Sequence, residues 1–312
     1  MTTRPLLRIG TRASRLALVQ TDHVCAALRR AHPDLAAPGA IAVEKIQTTG
    51  DRVTDRALAE IGGKGLFAKE IEAALIDGRI DLAVHSMKDL ETRLPEGLEI
   101  TCMPAREAPW DMLVADGARS IADLPRGAVV GTASLRRQAQ LLARRPDLEI
   151  VLLRGNVPTR LDKLRRGEVA ATILAQAGLR RLGIDDAPAT VIPADEMLPA
   201  VGQGAVGIEH RAGDDRVRDL LRPLNHGDTF LRVTAERAML ATLDGSCRTP
   251  IAGLAERDGA TLRLTGLIAR PDGSAVYRAV AAGPADEPEA LGRAVGEDLL
   301  AQAGPGFLAA IG

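Results

Sequence analysis

Aromatic residues are scarce in this sequence. Only five occur among its 312 residues, and they are Phe67, Trp110, Phe230, Tyr277 and Phe307. Because proteins usually bind single-stranded nucleic acid by stacking its bases on aromatic rings, we do not expect that class of partner. The near balance of 40 basic and 41 acidic side chains also argues against nucleic-acid binding driven by overall charge. The core must be built from aliphatic side chains.

Long apolar runs, a secretion signal and paired cysteines are missing too. No apolar stretch reaches 18 residues, and the first residues lead into Leu6–Gly10 without the apolar segment of a signal peptide. The three cysteines, Cys25, Cys102 and Cys247, are widely spaced and odd in number, which is typical of free thiols in a reducing compartment. None has the spacing of zinc ligands. We therefore expect a cytoplasmic protein with no membrane partner and no metal site.

Short apolar runs alternate with helical patterns over the first two thirds of the chain, which is typical of a doubly wound α/β fold. Ser14 is expected to cap a helix, Asn156-Val157-Pro158 to open another with proline near its first turn, and a further helix is predicted over 66–76. Strands are predicted at 6–10, 41–46, 80–84, 112–115, 129–132, 150–153 and 171–174.

Beyond about residue 223 the pattern changes. Asp228 is predicted to cap a helix that runs to Leu243, and a last helix is predicted over 288–303. Strands at 262–268 and 275–281 flank a turn at Pro271-Asp272-Gly273. This region is expected to form a separate α+β domain, in keeping with a length of about twice a usual domain.

Basic and hydroxyl residues gather where the predicted strands end and helices begin, which is where open α/β sheets bind ligands. Arginine binds carboxylates and phosphates through two parallel hydrogen bonds, so three such junctions predict a ligand with several acidic groups. Any one of these arginines alone is explained as well by a solvated surface, and the excess of 35 arginines over five lysines by codon usage. The junction residues are Arg12 and Ser14; Thr132, Ser134, Arg136 and Arg137; and Arg154, Asn156 and Arg160.

Two further segments have the composition of a site. The glycine-rich segment 61–67 lacks the spacing of a phosphate-binding loop, and it is either a mobile lid over an anion or a plain loop before a helix. His85-Ser86-Met87-Lys88-Asp89 follows a predicted strand directly. An ionised Asp89 at that place could stabilise a developing cation or relay a proton, or it could form a surface ion pair with Lys88.

Cys247 lies in the loop Asp244-Gly245-Ser246-Cys247-Arg248. The adjoining Arg248 would favour the thiolate form, which is the nucleophilic one. Cys25 and Cys102 are placed as packing residues by their helix and strand patterns. No histidine can be assigned to Cys247 as a base, so the residues alone leave open whether this thiol reacts.

Taken together, these segments resemble the porphobilinogen deaminase family, also called hydroxymethylbilane synthases. The similarity spans nearly the whole chain, and it rests on the shared order and spacing of the motifs. These are residues 8–12, 62–67, 84–89, 131–138, 153–157, 198–205 and 232–237, and the loop of Cys247.

The resemblance implies two doubly wound α/β domains like those of periplasmic binding proteins, plus a small α+β C-terminal domain. The implied boundaries are 1–104 with 199–222 for the first domain, 105–198 for the second and 223–312 for the third. It also implies a transferase of tetrapyrrole and heme biosynthesis. The enzyme would join four porphobilinogen molecules head to tail, release ammonia and form hydroxymethylbilane as a monomer. Growth would begin on a dipyrromethane primer, a cofactor attached through a thioether to Cys247.

The resemblance implies a role for each matching residue. Asp89 would be the catalytic carboxylate, Lys64 and Phe67 would belong to an active-site loop, and Gln203 would lie in the cleft. The sequence departs from the family pattern at Glu60, where some members have lysine, at Arg15, where proline is common, and at Glu91-Thr92, which replaces a turn with proline. The carboxylates of substrate and cofactor would be bound by Arg12, Ser14, Ser86, Lys88, Thr132, Ser134, Arg136, Arg137, Arg154 and Arg160.

Two other classes of function compete with this interpretation. A binding or regulatory module could close two α/β lobes on an acidic ligand without catalysis, and it would need no pyrrole attached to sulfur. A thiol hydrolase could use Cys247, but no base or oxyanion hole can be assigned to it from the sequence. A covalent primer, detected as added mass, would distinguish a porphobilinogen deaminase from both alternatives.

Overall fold

The structure is a computed structural model that describes residues 5–52, 65–245 and 249–311. These residues form two compact units. The first unit contains residues 5–52, 65–106 and 205–230, and the second contains 107–204, 231–245 and 249–311. The three-domain boundaries given above stay a prediction.

The elements of the described residues are numbered here in chain order. The strands are β1 Leu7–Arg12, β2 Ile41–Ile46, β3 Leu82–Ser86, β4 Leu98–Cys102, β5 Asp111–Ala115, β6 Val129–Gly131, β7 Glu149–Val151, β8 Ala171–Ala175, β9 Ala189–Val191, β10 Val206–Arg211, β11 Ile251–Asp258, β12 Thr261–Ala269 and β13 Val276–Pro284. The α-helices are α1 Arg15–Ala31, α2 Thr49–Arg52, α3 Lys69–Ile76, α4 Leu135–Arg144, α5 Val157–Arg165, α6 Gln176–Arg181, α7 Asp215–Leu221, α8 Gly227–Thr242, α9 Pro288–Ala303 and α10 Phe307–Ile311. Short 3-10 turns cover Pro33–Ala36, Met87–Asp89 and Arg222–Leu224.

The first unit is built on a mixed five-stranded sheet in the order β2-β1-β3-β10-β4. Strand β1 runs parallel to β2 and β3, whereas β10 runs antiparallel to β3 and β4. The Ser14 side chain accepts a hydrogen bond from the backbone N–H of Ala17 and caps α1, as predicted. Helix α1 packs Val24 and Leu28 against one face of the sheet, and α3 packs Ile71 and Leu75 against a second cluster.

The second unit contains a sheet with the same pattern of strand directions. Its order is β7-β6-β8-β5-β9, in which β6 is parallel to β7 and β8, and β5 is antiparallel to β8 and β9. Because β5 is antiparallel, its first residue meets the carboxyl end of β8, and Asp111 pairs with Ala175. Residues at the start of β5 therefore lie at the edge of the sheet where a ligand is expected.

The C-terminal part of the second unit is a three-stranded antiparallel sheet, β11-β12-β13, with α9 packed on β12 and β13. Helix α9 approaches α8 closely at Gly292. A Cβ at this position would lie only 2.4 Å from the carbonyl oxygen of Ala235, so the approach requires glycine. The β12–β13 turn has Gly273 at φ +73°, and a Cβ there would collide with the backbone of α4. The predicted hairpin is confirmed, and its tip packs against α4 within this unit.

The predicted elements are largely confirmed. All seven predicted α/β strands are present, although β3 lies two residues later than predicted and so includes Ser86. Two helix starts were wrong: α3 begins at Lys69 and not at 66, and Asp228 lies in the first turn of α8 instead of capping it. Four strands were missed, which are β4, β9, β10 and β11. No helix among the described residues is long and apolar enough to cross a membrane.

Candidate active site

A pocket in the first unit lies at the carboxyl ends of β1 and β3. It brings together several residues that the sequence analysis had placed at separate junctions, among them Arg12, Ser14, Phe67, Ser86 and Asp89. The order of strands in the sheet explains why these residues lie close together, because β1 and β3 are neighbouring parallel strands whose carboxyl ends lie at the same edge. The remaining lining residues are Leu16, Ala17, Gln20, Val84 and His85.

Arg12 lies between two carboxylates. Its Nη2 and Nε lie 2.5 Å and 3.2 Å from the two oxygens of Asp51, and its Nη1 lies 3.3 Å from Oδ2 of Asp89. The guanidinium carbon also lies 4.1 Å from the centre of the Phe67 ring, which is a cation–π contact. Burial alone would lower the pKa of Arg12, but the hydrogen bond to Asp51 and the charges of Asp89 and Asp51 raise it above its usual value. Arg12 is therefore a cation flanked by two carboxylates.

Ser86 is held by a residue that the sequence analysis missed. The amide of Gln20 donates to Ser86 Oγ at 2.9 Å, and the Ser86 hydroxyl lies 3.1 Å from Gln20 Oε1. Lys88 and Asp89 follow in the 3-10 turn after β3, and both are half-buried. Gln20 lies on the buried face of α1, six residues after Ser14, and a polar residue on an apolar helix face was the signal that could have identified it.

A buried acidic group lies behind the end of β3. Nε2 of His85 lies 3.0 Å from Oε2 of Glu209 on β10, and both side chains are buried. Glu72 on α3 faces this pair. Burial, with the nearby charges of Glu209 and Glu91, raises the pKa of Glu72 to about 7 in spite of the opposing effect of His85. The three side chains form a polar cluster beneath the segment that carries Ser86 and Asp89.

In the second unit, the corresponding junction lies between β6 and α4. Ser134 caps α4 by accepting from the backbone N–H of Arg137, and Thr132 Oγ1 accepts from the N–H of Ser134 at 3.1 Å. Arg136 and Arg137 occupy the first turn of α4 and are almost fully buried. Both guanidinium groups bind Asp111, which the sequence analysis did not include among the site residues.

Arg154 and Arg160 belong to the next junction, between β7 and α5. A helix opens at Asn156-Val157-Pro158, as predicted; Asn156 caps it, and Nε of Arg160 donates to the carbonyl oxygen of Gly155 at 2.9 Å. Burial, together with repulsion from Arg137 and Arg154, lowers the pKa of Arg160 to about 10. We call Arg136, Arg137, Arg154 and Arg160 the arginine cluster.

Gln203 joins this region as well. It is fully buried, and its Nε2 donates to the carbonyl oxygen of Pro109 at 2.6 Å and to Oδ1 of Asp111 at 3.0 Å. Gln203 therefore contacts the carboxylate that holds two members of the arginine cluster. Its assignment to a ligand cleft stays a prediction.

Several predicted residues lie outside the described part of the chain. These are Cys247, Lys64 and the departure at Glu60. Of the other departures, Arg15 is the first residue of α1, and Glu91 accepts a hydrogen bond from the N–H of Gly65 at 3.2 Å. Among the residues that are described, no group of three or more His, Cys, Asp or Glu side chains could hold a metal ion.

Comparison with known proteins places the whole chain in one family. Residues 7–219 match the family model described as "Porphobilinogen deaminase, dipyromethane cofactor binding domain". Residues 230–301 match the model described as "Porphobilinogen deaminase, C-terminal domain". Together the two matches include every predicted site residue, Cys247 among them.

Curated relatives give the same result over nearly full length. A porphobilinogen deaminase of Paracoccus denitrificans (strain Pd 1222) is 55% identical over 301 residues, covering 96% of each chain. A protein named as chloroplastic porphobilinogen deaminase of Oryza sativa subsp. japonica is 52% identical over 305 residues, covering 97% of this chain and 85% of the rice protein. One from Geobacter sp. (strain M21) is 49% identical over 305 residues, covering 98% and 94%.

Among solved structures, an ancestral cationic amino acid solute binding protein is similar with a TM-score of 0.43 and 18% identity, covering 70% of this chain and 87% of that one. The periplasmic aliphatic sulphonate binding protein of Escherichia coli gives a TM-score of 0.41 and 14% identity, with coverage of 76% and 70%. Such scores are too low to bear on function. The two family matches and the relatives of about 50% identity show that this chain belongs to the porphobilinogen deaminase family, the transferases of tetrapyrrole biosynthesis classified as EC 2.5.1.61.

Proposed function

We propose that two groups of residues divide the work of the porphobilinogen deaminase reaction: Asp89 assists the loss of ammonia, and the arginine cluster binds carboxylates. The reaction joins four porphobilinogen molecules head to tail with release of ammonia to give hydroxymethylbilane. Each pyrrole ring carries an acetate and a propionate, so the acidic groups accumulate as the chain grows. A site that binds the growing pyrrole chain therefore needs several positively charged side chains in fixed positions.

The observation that carries this proposal is the gathering of Arg137, Arg154 and Arg160 at neighbouring strand-to-helix junctions, close enough for their charges to repel one another. Arg160 is repelled by Arg137 and Arg154, and its pKa falls to about 10. A carboxylate bound beside these guanidinium groups would offset that repulsion. Each charge-assisted hydrogen bond formed there would contribute about 1.5 to 3 kcal/mol.

Asp89 has the position and exposure that a catalytic carboxylate requires. It ends the 3-10 turn that directly follows β3, and its side chain is about one third exposed, with the Arg12 guanidinium on one side. Loss of ammonia from the aminomethyl group of porphobilinogen leaves an electron-poor azafulvene, and positive charge develops on the pyrrole nitrogen. An ionised carboxylate facing that nitrogen binds the transition state more strongly than the ground state and lowers the barrier.

Arg12 prepares Asp89 for this role. Its bidentate contact with Asp51 fixes the guanidinium group, and the remaining Nη1 reaches Asp89. Phe67 covers the guanidinium face and restricts its movement. The Asp89 carboxylate is thus oriented before the substrate arrives, which reduces the reorganisation needed in the reaction.

The described residues fit an acidic cofactor, because the arginine cluster has more positive than negative charge. When bound, the dipyrromethane group supplies a primer pyrrole that holds the growing chain on the protein. We propose Cys247 as its attachment point, through a thioether, and Arg136, Arg137, Arg154 and Arg160 as the residues that hold its carboxylates. Further hydrogen bonds to carboxylates are proposed from hydroxyl and ammonium groups, which are those of Ser14, Ser86, Lys88, Thr132 and Ser134.

Intact-mass measurement of the wild-type chain and of Cys247→Ser tests this proposal. We expect an added mass corresponding to two pyrrole units in the wild type and none in the variant, which should also lose activity. The single oxygen-for-sulfur change makes the comparison a closely matched one. A wild-type chain without added mass that still turns over porphobilinogen would exclude a tethered primer.

We also propose that the chain acts as a monomer in the cytoplasm. The widely spaced cysteines suit a reducing compartment, and Cys25 and Cys102 are buried free thiols. Sedimentation of the purified chain over a range of concentrations tests the monomer, and fractionation of the native cell tests the compartment. The rice relative carries the word chloroplastic in its name, so the compartment can differ between members.

A further inference from the structure

Asp111 connects two members of the arginine cluster through a single buried carboxylate. Its side chain has no exposed surface. Oδ2 accepts from Nη1 of Arg136 at 2.7 Å, and Oδ1 accepts from Nη2 of Arg137 at 2.7 Å and from its Nε at 3.2 Å. Gln203 also donates to Oδ1. Both oxygens are therefore occupied by groups that the family resemblance assigns to ligand binding.

Carbonyl oxygens complete the anchoring of these two arginines. Nη1 of Arg136 also donates to the carbonyl oxygen of Leu198 at 2.7 Å, and Nη1 of Arg137 donates to that of Ile173 at 2.7 Å. Within the described residues, Nε and Nη2 of Arg136 have no hydrogen-bond partner. Arg136 is thus held by one nitrogen, and the direction of its other donors is set by that single anchored corner.

The charge of Asp111 also sets the balance of the whole cluster. Burial by itself would raise the pKa of the Asp111 carboxyl, but the charges and hydrogen bonds of Arg136 and Arg137 hold it far below its usual range. Asp111 is consequently an anion at every pH at which the enzyme would work. It offsets one positive charge close to Arg137, which itself repels Arg160.

From this geometry we infer that Asp111 is a positioning residue of the reaction: it fixes Arg136 and Arg137 as a rigid pair that receives the carboxylates of the pyrrole substrate. The inference rests on the proposed role of these arginines as carboxylate ligands. Asp111 does not touch the substrate itself, because its oxygens are occupied and an anion would repel an acidic ligand. It acts by setting where two guanidinium groups point and how much positive charge the ligand meets.

The test uses the full-length enzyme with its covalent cofactor and two substitutions of Asp111. Asp111→Asn keeps the size of the side chain and removes its charge, whereas Asp111→Glu keeps the charge and displaces the carboxylate by one methylene. Asp186→Asn, which removes a charge from an exposed position in the same unit, is the matched control. Circular dichroism and thermal unfolding establish which variants are folded.

We expect Asp111→Asn to raise the KM for porphobilinogen by about tenfold and to change kcat by much less. The variant no longer fixes the guanidinium groups of Arg136 and Arg137, and these groups are proposed to bind substrate. The dependence of KM on ionic strength should become steeper, since the variant has one more uncompensated positive charge. The fraction of chains that carry the dipyrromethane mass should fall as well. A residue with a merely structural role would leave the salt dependence unchanged.

Asp111→Glu keeps the inference testable if the Asn variant does not fold. We expect the Glu variant to raise KM by about threefold with the wild-type dependence on ionic strength. A wild-type KM in either folded variant would overturn the inference. The Arg136→Gln variant distinguishes failure of this inference from failure of the proposed function. If Arg136 binds no carboxylate, Arg136→Gln also keeps the wild-type KM, and the proposed function fails. If Arg136→Gln raises KM but Asp111→Glu keeps the wild-type KM, only the inference about Asp111 fails.

Discussion

The sheet edges of the two units occupy equivalent places in similar sheets, yet their charges are balanced in opposite ways. In the first unit, Arg12 has carboxylates on two sides, and its pKa is raised. In the second unit, one carboxylate serves two arginines, and the pKa of Arg160 is lowered. The same architecture thus sets one arginine between two carboxylates in the first unit and gathers two arginines around one carboxylate in the second. If the proposed roles are correct, charge balance, more than strand order, distinguishes the edge that carries the catalytic carboxylate from the one that binds anions.

The largest effect should come from the carboxylate of the first unit. Asp89→Asn keeps the shape of the side chain but removes its charge, so we expect kcat to fall by at least about 100-fold while the fold is retained. Steady-state kinetics and thermal unfolding of the purified variant measure both. Asp22→Asn, at an exposed position on α1, is the control and should behave as wild type. Unchanged turnover in Asp89→Asn would remove this residue from the mechanism.

A smaller effect should follow from removing one cation of the second unit. Arg160→Gln should raise the KM for porphobilinogen by about tenfold, because it deletes a charge-assisted hydrogen bond, and kcat should change less than KM. Arg166→Gln, at an exposed position paired with Glu168, should leave KM unchanged. If the two glutamine variants have the same KM, the contrast between balanced and unbalanced edges has no functional meaning.

A change in ionic strength should have a smaller effect on KM than the removal of Arg160. Raising the salt concentration from 0.05 to 0.5 M should increase the wild-type KM by about threefold, because screening weakens attraction between the arginine cluster and an acidic substrate. The Arg160→Gln variant should show a shallower dependence. A series of KM values at constant pH measures it, and a KM that does not respond to salt would contradict an electrostatic binding surface.

The smallest expected effect concerns the polar cluster behind β3. The pKa of Glu72 is raised from 4.5 to about 7, so the folded state holds this proton more firmly than the unfolded state does. Stability should therefore decrease as the pH rises from about 4.5 to about 7 and then change no further on account of this group. Glu72→Gln removes that loss, and at pH 8 its Tm should exceed that of the wild type by a few degrees.

At pH 4.5 the same comparison should show nearly equal Tm values, because the Glu72 side chain of the folded protein is then protonated and uncharged, like glutamine. Glu96→Gln, at an exposed position in the first unit, should show no dependence of this kind. An equal Tm difference at both pH values would show that Glu72 acts through packing and not through its charge.

Much of the fold was readable from local patterns. Strand β2 and helix α9 have the predicted bounds, because an apolar run and an amphipathic period are properties of the segment itself. Strand β10 was missed because its polar residues Glu209 and His210 are buried and obscure the usual alternation. A buried polar strand is recognisable only once its partners are known.

The candidate site was readable to the same extent. Arg12, Ser14 and Asp89 could be placed at a sheet edge because each directly follows a strand or starts a helix. Asp111 and Gln20 could not, because their importance depends on neighbours far away in the sequence. Asp111 reaches the arginines only because β5 runs antiparallel beside β8, and no local pattern encodes that pairing.

The scarcity of aromatic residues has a practical consequence at this same place. Trp110 is the only tryptophan in the chain, it directly precedes Asp111, and it packs against the cluster that contains Ala139 of α4 and Leu198. Its intrinsic fluorescence therefore comes from one defined spot, at the residue that precedes Asp111 in the sequence. Rearrangement of α4 or of Asp111 during successive substrate additions would be reported by this single natural fluorophore, with no added label.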